Sequence, residues 1–266
     1  MNIFLSRPRI LPNIKVETDC EKLYSALRSH YGKYAALNGC GDCFSIKVIK
    51  TGESFVISFS DKNCKTDDPL QEIENILFDI SIPAPDAFTL HAGAVSANGK
   101  AYIFTAPTTS GKTTLTAYLA LRGFNYITDD NVLIDTKTFK VTAYHKPVHL
   151  REGGYEVLDK LGLDLSNVEY LDDVSIKRYI FTPPKLSDDN LDIGAIFFIE
   201  RNETANEVHN LKPFDAMQLL MQSPTAHRKV DGNYLSFLSL LSKYPCKKLL
   251  YKDMNFVRDL IGGMRQ

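Results

Sequence analysis

Residues 106–114, A-P-T-T-S-G-K-T-T, set a glycine, a lysine and two threonines in the order of a phosphate-binding loop, and the acidic pair Asp129-Asp130 follows seventeen positions after Lys112. The chemistry this implies is that of a nucleotide's phosphates. Loop N–H groups and the positive end of a following helix would cradle the anion. Thr108, Thr109, Ser110, Gly111, Lys112, Thr113 and Thr114 are the candidate binding residues. Lys112 would reach the β- and γ-phosphates, and the Thr113 hydroxyl would hold Mg²⁺. The pattern G-x-x-x-x-G-K-[ST] asks for glycine where this chain has Ala106, which fits the turn if φ is negative there. Of the two carboxylates, one would hold Mg²⁺, directly or through water, while the other takes the proton of an attacking hydroxyl. The alternative for the pair is capping of a turn or helix.

The flanking residues can position such a loop. Residues 101–105, A-Y-I-F-T, read as a buried strand. Residues 113–122 carry Leu115, Tyr118, Leu119 and Leu121 at near-helical spacing, and Gly123 stands where a left-handed residue would end the helix. Residues 125–128, N-Y-I-T, lead into the acidic pair, which puts the carboxylates at the carboxyl end of a neighbouring parallel strand. Residues 88–96 form another strand, turned at Asn98-Gly99 into the strand before the loop, so His91 rides on the strand paired with it. Taken alone, a strand histidine is more often structural.

The combination of L-H-A-G-A-V at 90–95, G-K-T-T at 111–114, R-G-F at 122–124 and T-D-D-N-V at 128–132 resembles the kinase domain of the HPr kinase/phosphorylase group, over roughly residues 86–136. The resemblance implies an α/β fold with the P-loop kinase core of the HPr kinase C-terminal domain. It also implies that His91 and Asp129 serve phosphoryl transfer, with Asp129 as base, that Asp130 takes the metal-linked role, and that residues 110–114 form the cradle. Two family features are missing: the N-terminal domain of the bifunctional members and a glycine-rich motif tied to dephosphorylation. Phosphorylase activity and HPr as acceptor are therefore not expected. The chain looks closer to relatives that phosphorylate a serine of a ribosomally made peptide, such as a lasso-peptide precursor, than to free-serine kinases. Its compact N-terminal region and L-R-E-G-G at 150–154 carry that distinction.

Arg151 could offset charge on a transferred phosphoryl group and Glu152 could orient the water shell of a metal; a surface ion pair or helix start is the alternative. Cys40 and Cys43 make a C-x-x-C without a second pair, which favours two incidental thiols in a turn over a zinc site. Asp172-Asp173 reads as a solvated loop. With 266 residues, 44% of them hydrophobic, the chain can bury one large core or a large and a small one; its formal charge of −1 gives no reason to expect nucleic acid or an anionic membrane as partner. Nothing resembles a membrane span or signal peptide, and the odd number of cysteines suits a reducing compartment, so the expectation is cytoplasmic.

Pro83-Ala84-Pro85 marks the best boundary, between a small α+β or β-rich subdomain at 1–82 and a P-loop kinase domain at 83–266. Strands are expected at 44–49, 54–59, 192–199 and 248–251, a hairpin at 132–144, and helices at 21–31, 67–80, 153–161, 212–222, 230–243 and 253–263. The function expected is transfer of the γ-phosphate of ATP, with Mg²⁺, to a serine hydroxyl of a peptide or small protein. A nucleotide-binding regulatory protein without transfer, a free-serine kinase and an NTP hydrolase are the alternatives, and assembly into a homo-oligomer is left open.

Overall fold

Alternation of apolar and polar residues builds the first sheet. The structure is a computed structural model that describes residues 1–5, 13–32, 35–36, 43–81, 87–107, 110–143, 145–173, 176–221 and 234–264. The chain opens with β1 (Asn2–Leu5), β2 (Ile14–Thr18), α1 (Glu21–Tyr31), β3 (Ala35–Ala36), β4 (Phe44–Thr51), β5 (Ser54–Phe59), β6 (Lys62–Thr66) and α2 (Pro69–Ser81). The strands lie in the order β3-β1-β2-β4-β5-β6. Ile14, Val16, Ile46, Val48, Phe55 and Ile57 are buried, as are Leu23 and Leu27 of α1 and Ile73 and Leu77 of α2. The residues between them on the strands are exposed or half-buried, so this sheet has one dry face and one wet face.

Next come β7 (Ala87–Ala97), β8 (Lys100–Thr105), α3 (Lys112–Leu121), β9 (Asn125–Thr128), β10 (Asn131–Asp135), β11 (Val141–Thr142), β12 (Val148–Leu150) and α4 (Glu152–Lys160). A hairpin follows, β13 (Glu169–Asp173) and β14 (Ile176–Phe181), and then β15 (Asp192–Arg201), β16 (Glu207–Asn210), α5 (Pro213–Met221), α6 (Tyr234–Lys243), β17 (Cys246–Tyr251) and α7 (Met254–Gly263). Two units result: Met1–Pro83 with Ser166–Thr182, and Ala84–Leu165 with Pro183–Gln266. Residues 166–182, which the sequence places within 83–266, pack in the first unit. Asp172 and Asp173 accordingly stand in strand β13 and not in a loop. Cys40, Thr108 and Thr109 lie outside the described residues.

The second unit is built on a sheet ordered β11-β10-β7-β8-β15-β17-β16, with β9 also paired to β7. One expectation is corrected here. β9 is not the neighbour of β8: the long strand β7 runs between them, antiparallel to both. β9 and β8 still point the same way, so the acidic pair and the loop reach the same edge of the sheet. β15 is parallel to β8 and to β17, which brings the ends of all three to that edge. His91 joins them by register, because its neighbour Ala92 stands opposite Thr105, the last residue of β8.

The pleat decides which face His91 serves. Phe88, Leu90, Ala92 and Ala94 of β7 pack in one core with Ala216 and Leu220 of α5 and Leu240 and Leu241 of α6. His91 and Gly93 alternate with them and face α3. At Gly93 the helix comes so close that an added Cβ would lie 2.0 Å from Thr116 Oγ1. The Thr116 hydroxyl is buried and has no hydrogen-bond partner among the described residues. Gly93→Ala is therefore expected to lower stability by about 1–3 kcal/mol. Adding Thr116→Ala should recover most of that loss, as denaturant midpoints would show. Equal losses in the single and double variants would mean that this contact does not set the approach of helix to sheet.

Candidate active site

Gly111 caps α3 with φ 86, a left-handed conformation that suits glycine, and Lys112 opens the helix. The Lys112 side chain is buried and turned back onto its own loop, where Nζ donates to the carbonyls of Ala106 at 2.8 Å and Pro107 at 3.1 Å. The Ser110 hydroxyl also donates to the Pro107 carbonyl. Burial pulls the Lys112 pKa down, while the nearby Asp130 carboxylate acts in the opposite direction. Ala106 is not among the residues of positive φ, so alanine occupies the glycine position of the motif without left-handed strain. The hydroxyls of Thr113 and Thr114 have no hydrogen-bond partner among the described residues, and both side chains are half-buried.

The two adjacent carboxylates lead opposite lives. Asp130 accepts from His91 Nδ1 at 2.9 Å on one oxygen, and from Lys146 Nζ at 2.9 Å and Asn131 Nδ2 at 3.2 Å on the other. The Ala92 N–H donates to the Asp130 carbonyl at 2.9 Å, which pins the acidic turn beside His91. Burial opposes ionisation of Asp130, but the Lys146 ammonium and the His91 hydrogen bond outweigh it and hold the carboxyl well below the usual range. Asp129 points inward, is 5% exposed, and accepts from the Tyr126 hydroxyl at 2.9 Å. Burial pushes its pKa up, against the pull of Lys146. His91 thus pairs with Asp130, the carboxylate that reaches the open edge, and not with Asp129.

Arg151 is the N-cap of α4 in extended conformation, and Glu152 is the first helical residue; both are exposed. A Cβ on Gly154 would lie 2.8 Å from Thr114 Oγ1. This close approach explains the glycine in L-R-E-G-G and seats the start of α4 on the first turn of α3. No hydrogen bond or ion pair joins Arg151 or Glu152 to Lys112, His91 or the acidic pair. The structure therefore gathers Lys112, Thr113, His91 and Asp130 at one edge, sets Asp129 behind them, and leaves Arg151 and Glu152 at the rim.

Lys146 was not anticipated as a site residue. It belongs to an extended stretch, and no spacing rule links it to Asp130; only the tertiary fold brings the two together. Tyr126 had a weak signal, standing three residues before Asp129. Among the described residues no group of three His, Cys, Asp or Glu side chains is arranged to hold a metal ion, and Cys20, Cys43, Cys64 and Cys246 are free thiols. Asp172 makes a surface ion pair with Lys177 at 3.8 Å. Among the described residues no helix is long and apolar enough to cross a membrane.

The sequence matches no protein-family model and no curated protein. Among solved structures, the chain is similar to the Hpr(Ser) kinase/phosphatase from Coxiella burnetii, at 12% identity, over 66% of this chain and 95% of that one, with a TM-score of 0.33. The chemistry of the site rests on its own geometry.

The raised pKa of Asp129 has a testable sign. In the unfolded chain its carboxyl ionises near the ordinary value of about 3.9, whereas the folded protein holds the proton to higher pH. Ionising it therefore costs stability as pH rises through that interval. The Asp129→Asn variant is expected to gain stability relative to wild type from about pH 4 upward, read as denaturant midpoints across a pH series. A gap that stays flat or closes would contradict a reluctantly ionised carboxyl.

Proposed function

We propose that the second unit is an ATP-dependent phosphotransferase that moves the γ-phosphate to a serine hydroxyl of a peptide or small protein. The observation that carries this reading is that Asp130, clamped by His91 and Lys146, stands at the same sheet edge as Lys112, the residue that opens α3. A glycine-capped helix start, a lysine and an oriented imidazole thus share one sheet edge. The serine acceptor rests on the resemblance of residues 86–136 to the HPr kinase group, and the peptide class on the L-R-E-G-G stretch. Neither nucleic acid nor membrane enters the proposal as a partner.

Residue by residue, the roles follow from the contacts. The Lys112 ammonium would exchange the Ala106 and Pro107 carbonyls for phosphate oxygens, which are stronger acceptors because they are charged. The N–H groups at the start of α3 add donors aligned with the helix dipole. Asp130 is a poor proton acceptor, since its neighbours stabilise the anion. It accepts the Nδ1 hydrogen of His91 instead, and this leaves imidazole Nε2 to take the proton of the attacking hydroxyl. Asp129, buried behind the turn, supports through Tyr126 and does not meet the acceptor. Arg151, at the rim, is the cation available to offset charge on the transferred group.

The residues present fit Mg²⁺ in part. Thr113 has an uncommitted hydroxyl, and Asp130 is the member of the acidic pair coupled to Lys112. These two would hold the ion, with Glu152 beside its water shell, because Mg²⁺ is usually bound through one or two protein groups plus phosphate and water. When bound, it would neutralise charge on the β- and γ-phosphates.

The test is transfer of labelled γ-phosphate from MgATP to free serine, an HPr-type protein and a peptide ending in serine. Wild type should label one acceptor, the peptide. His91→Gln should lower kcat/KM by about 10²-fold or more, Lys112→Ala should be at least as impaired, and Asp129→Asn should keep most activity. Label released only to water would favour a hydrolase. Tight ATP binding with no transfer to any acceptor would replace the kinase by a regulatory nucleotide-binding protein.

A further inference from the structure

The side of the loop away from His91 also carries uncommitted polar groups. Tyr251 ends β17, and in the parallel register of β15 and β17 it stands opposite Arg201. Its side chain is 1% exposed, and its hydroxyl has no hydrogen-bond partner among the described residues. That hydroxyl is aimed at the cap of α3: a Cβ placed on Gly111 would lie 3.4 Å from Tyr251 Oη. A buried hydroxyl left unpaired is costly, and most native structures avoid it. The aromatic ring alone would fill the same space, so the hydroxyl must be explained by something other than packing.

Arg201 supplies the second observation. It is exposed, and it makes no hydrogen bond or ion pair among the described residues. The Asn202 N–H donates to the Tyr251 carbonyl at 2.9 Å, which ties the ends of the two strands together. Burial raises the Tyr251 pKa, with Arg201 pulling the other way, so the hydroxyl keeps its proton at neutral pH and is a donor. A buried O–H donor at the capped start of a helix, with an unpaired arginine opposite it on the neighbouring strand, forms an arrangement suited to a phosphate oxygen.

We propose that Tyr251 and Arg201 form a second phosphate-binding wall of the loop, in which the Tyr251 hydroxyl donates to a donor-phosphate oxygen at Gly111 and Arg201 contacts the same phosphate chain from outside. The proposal rests on the reading of residues 106–114 as a phosphate loop. It divides the labour across the edge: β7 and the acidic turn serve proton transfer, while β15 and β17 hold the phosphates.

Calorimetric titration of the full chain with MgATP and with magnesium pyrophosphate tests this, using wild type, Tyr251→Phe, Arg201→Gln and Lys112→Ala. Tyr251→Phe is expected to weaken both ligands about tenfold, and Arg201→Gln to weaken both in the same direction. Without ligand, the thermal midpoint of Tyr251→Phe should equal or exceed that of wild type, because no hydrogen bond is lost. A lowered midpoint with unchanged affinity would mean a structural hydroxyl and would overturn the proposal. So would a loss confined to ATP, which would assign the pair to the nucleoside. If Lys112→Ala is impaired and Tyr251→Phe is not, the wall is wrong and the loop reading stands. If wild type binds neither ligand, the loop reading fails and takes the wall with it.

Discussion

The close approach of α3 to β7 at Gly93 is the constraint on which the site depends. A side chain there would hold the helix away from the sheet, and the Lys112 carbonyl, 3.6 Å from where a Cβ would lie, shows that the first turn of the helix is what rests on this glycine. Two residues earlier on the same face of the strand stands His91. The strand period of two and the start of the helix are thereby locked in register, so that imidazole and ammonium belong to one rigid joint and not to two loops. Gly154 repeats the device from the other side, admitting Thr114 against the start of α4.

Electrostatics then separates two carboxylates that the chain places side by side. Successive residues at a strand end point in different directions, so Asp130 meets Lys146 and His91 while Asp129 meets the Tyr126 hydroxyl. The pair with Lys146 is half-desolvated, and such a pair contributes little net stability, because desolvation offsets much of the attraction. What it does provide is an anion of fixed position next to an imidazole. An acidic turn with equal neighbours would share one proton between its members. Here the asymmetry of the partners removes that ambiguity, and the deeper carboxyl takes the protonated tendency.

Much of this architecture was legible in local chemistry. Asn98 and Gly99 adopt φ 51 and 73, as the tight turn between β7 and β8 requires, and Gly123 takes φ 97 just past the end of α3. The apolar run of β15 and the helical spacings of α1, α4 and α7 needed no tertiary information. What local pattern could not carry was pairing at long range. Nothing in residues 125–128 says that β7 will stand between them and β8. Nothing in E-Y-L-D-D at 169–173 shows a buried face, so the return of that hairpin to the first unit was invisible. Lys146 and Tyr251 were missed for the same reason: only the tertiary fold sets the one beside Asp130 and turns the hydroxyl of the other toward Gly111.

The state of the loop's own donors bears on how strongly an anion can be held. Lys112 and Ser110 are already satisfied by the carbonyls of Ala106 and Pro107, so a phosphate meeting them exchanges neutral acceptors for a charged one and does not add bonds. Such exchanges give only the difference between the two partners. Groups with no partner among the described residues stand differently, because every bond they form is new. Thr113, Arg151, Arg201 and Tyr251 are of this kind: Thr113 lies in the first turn of α3, Arg151 caps α4, and Tyr251, opposite Arg201, turns its hydroxyl to Gly111. The affinity of a bound phosphate chain should therefore depend on such uncommitted groups as well as on the lysine by which the motif is recognised.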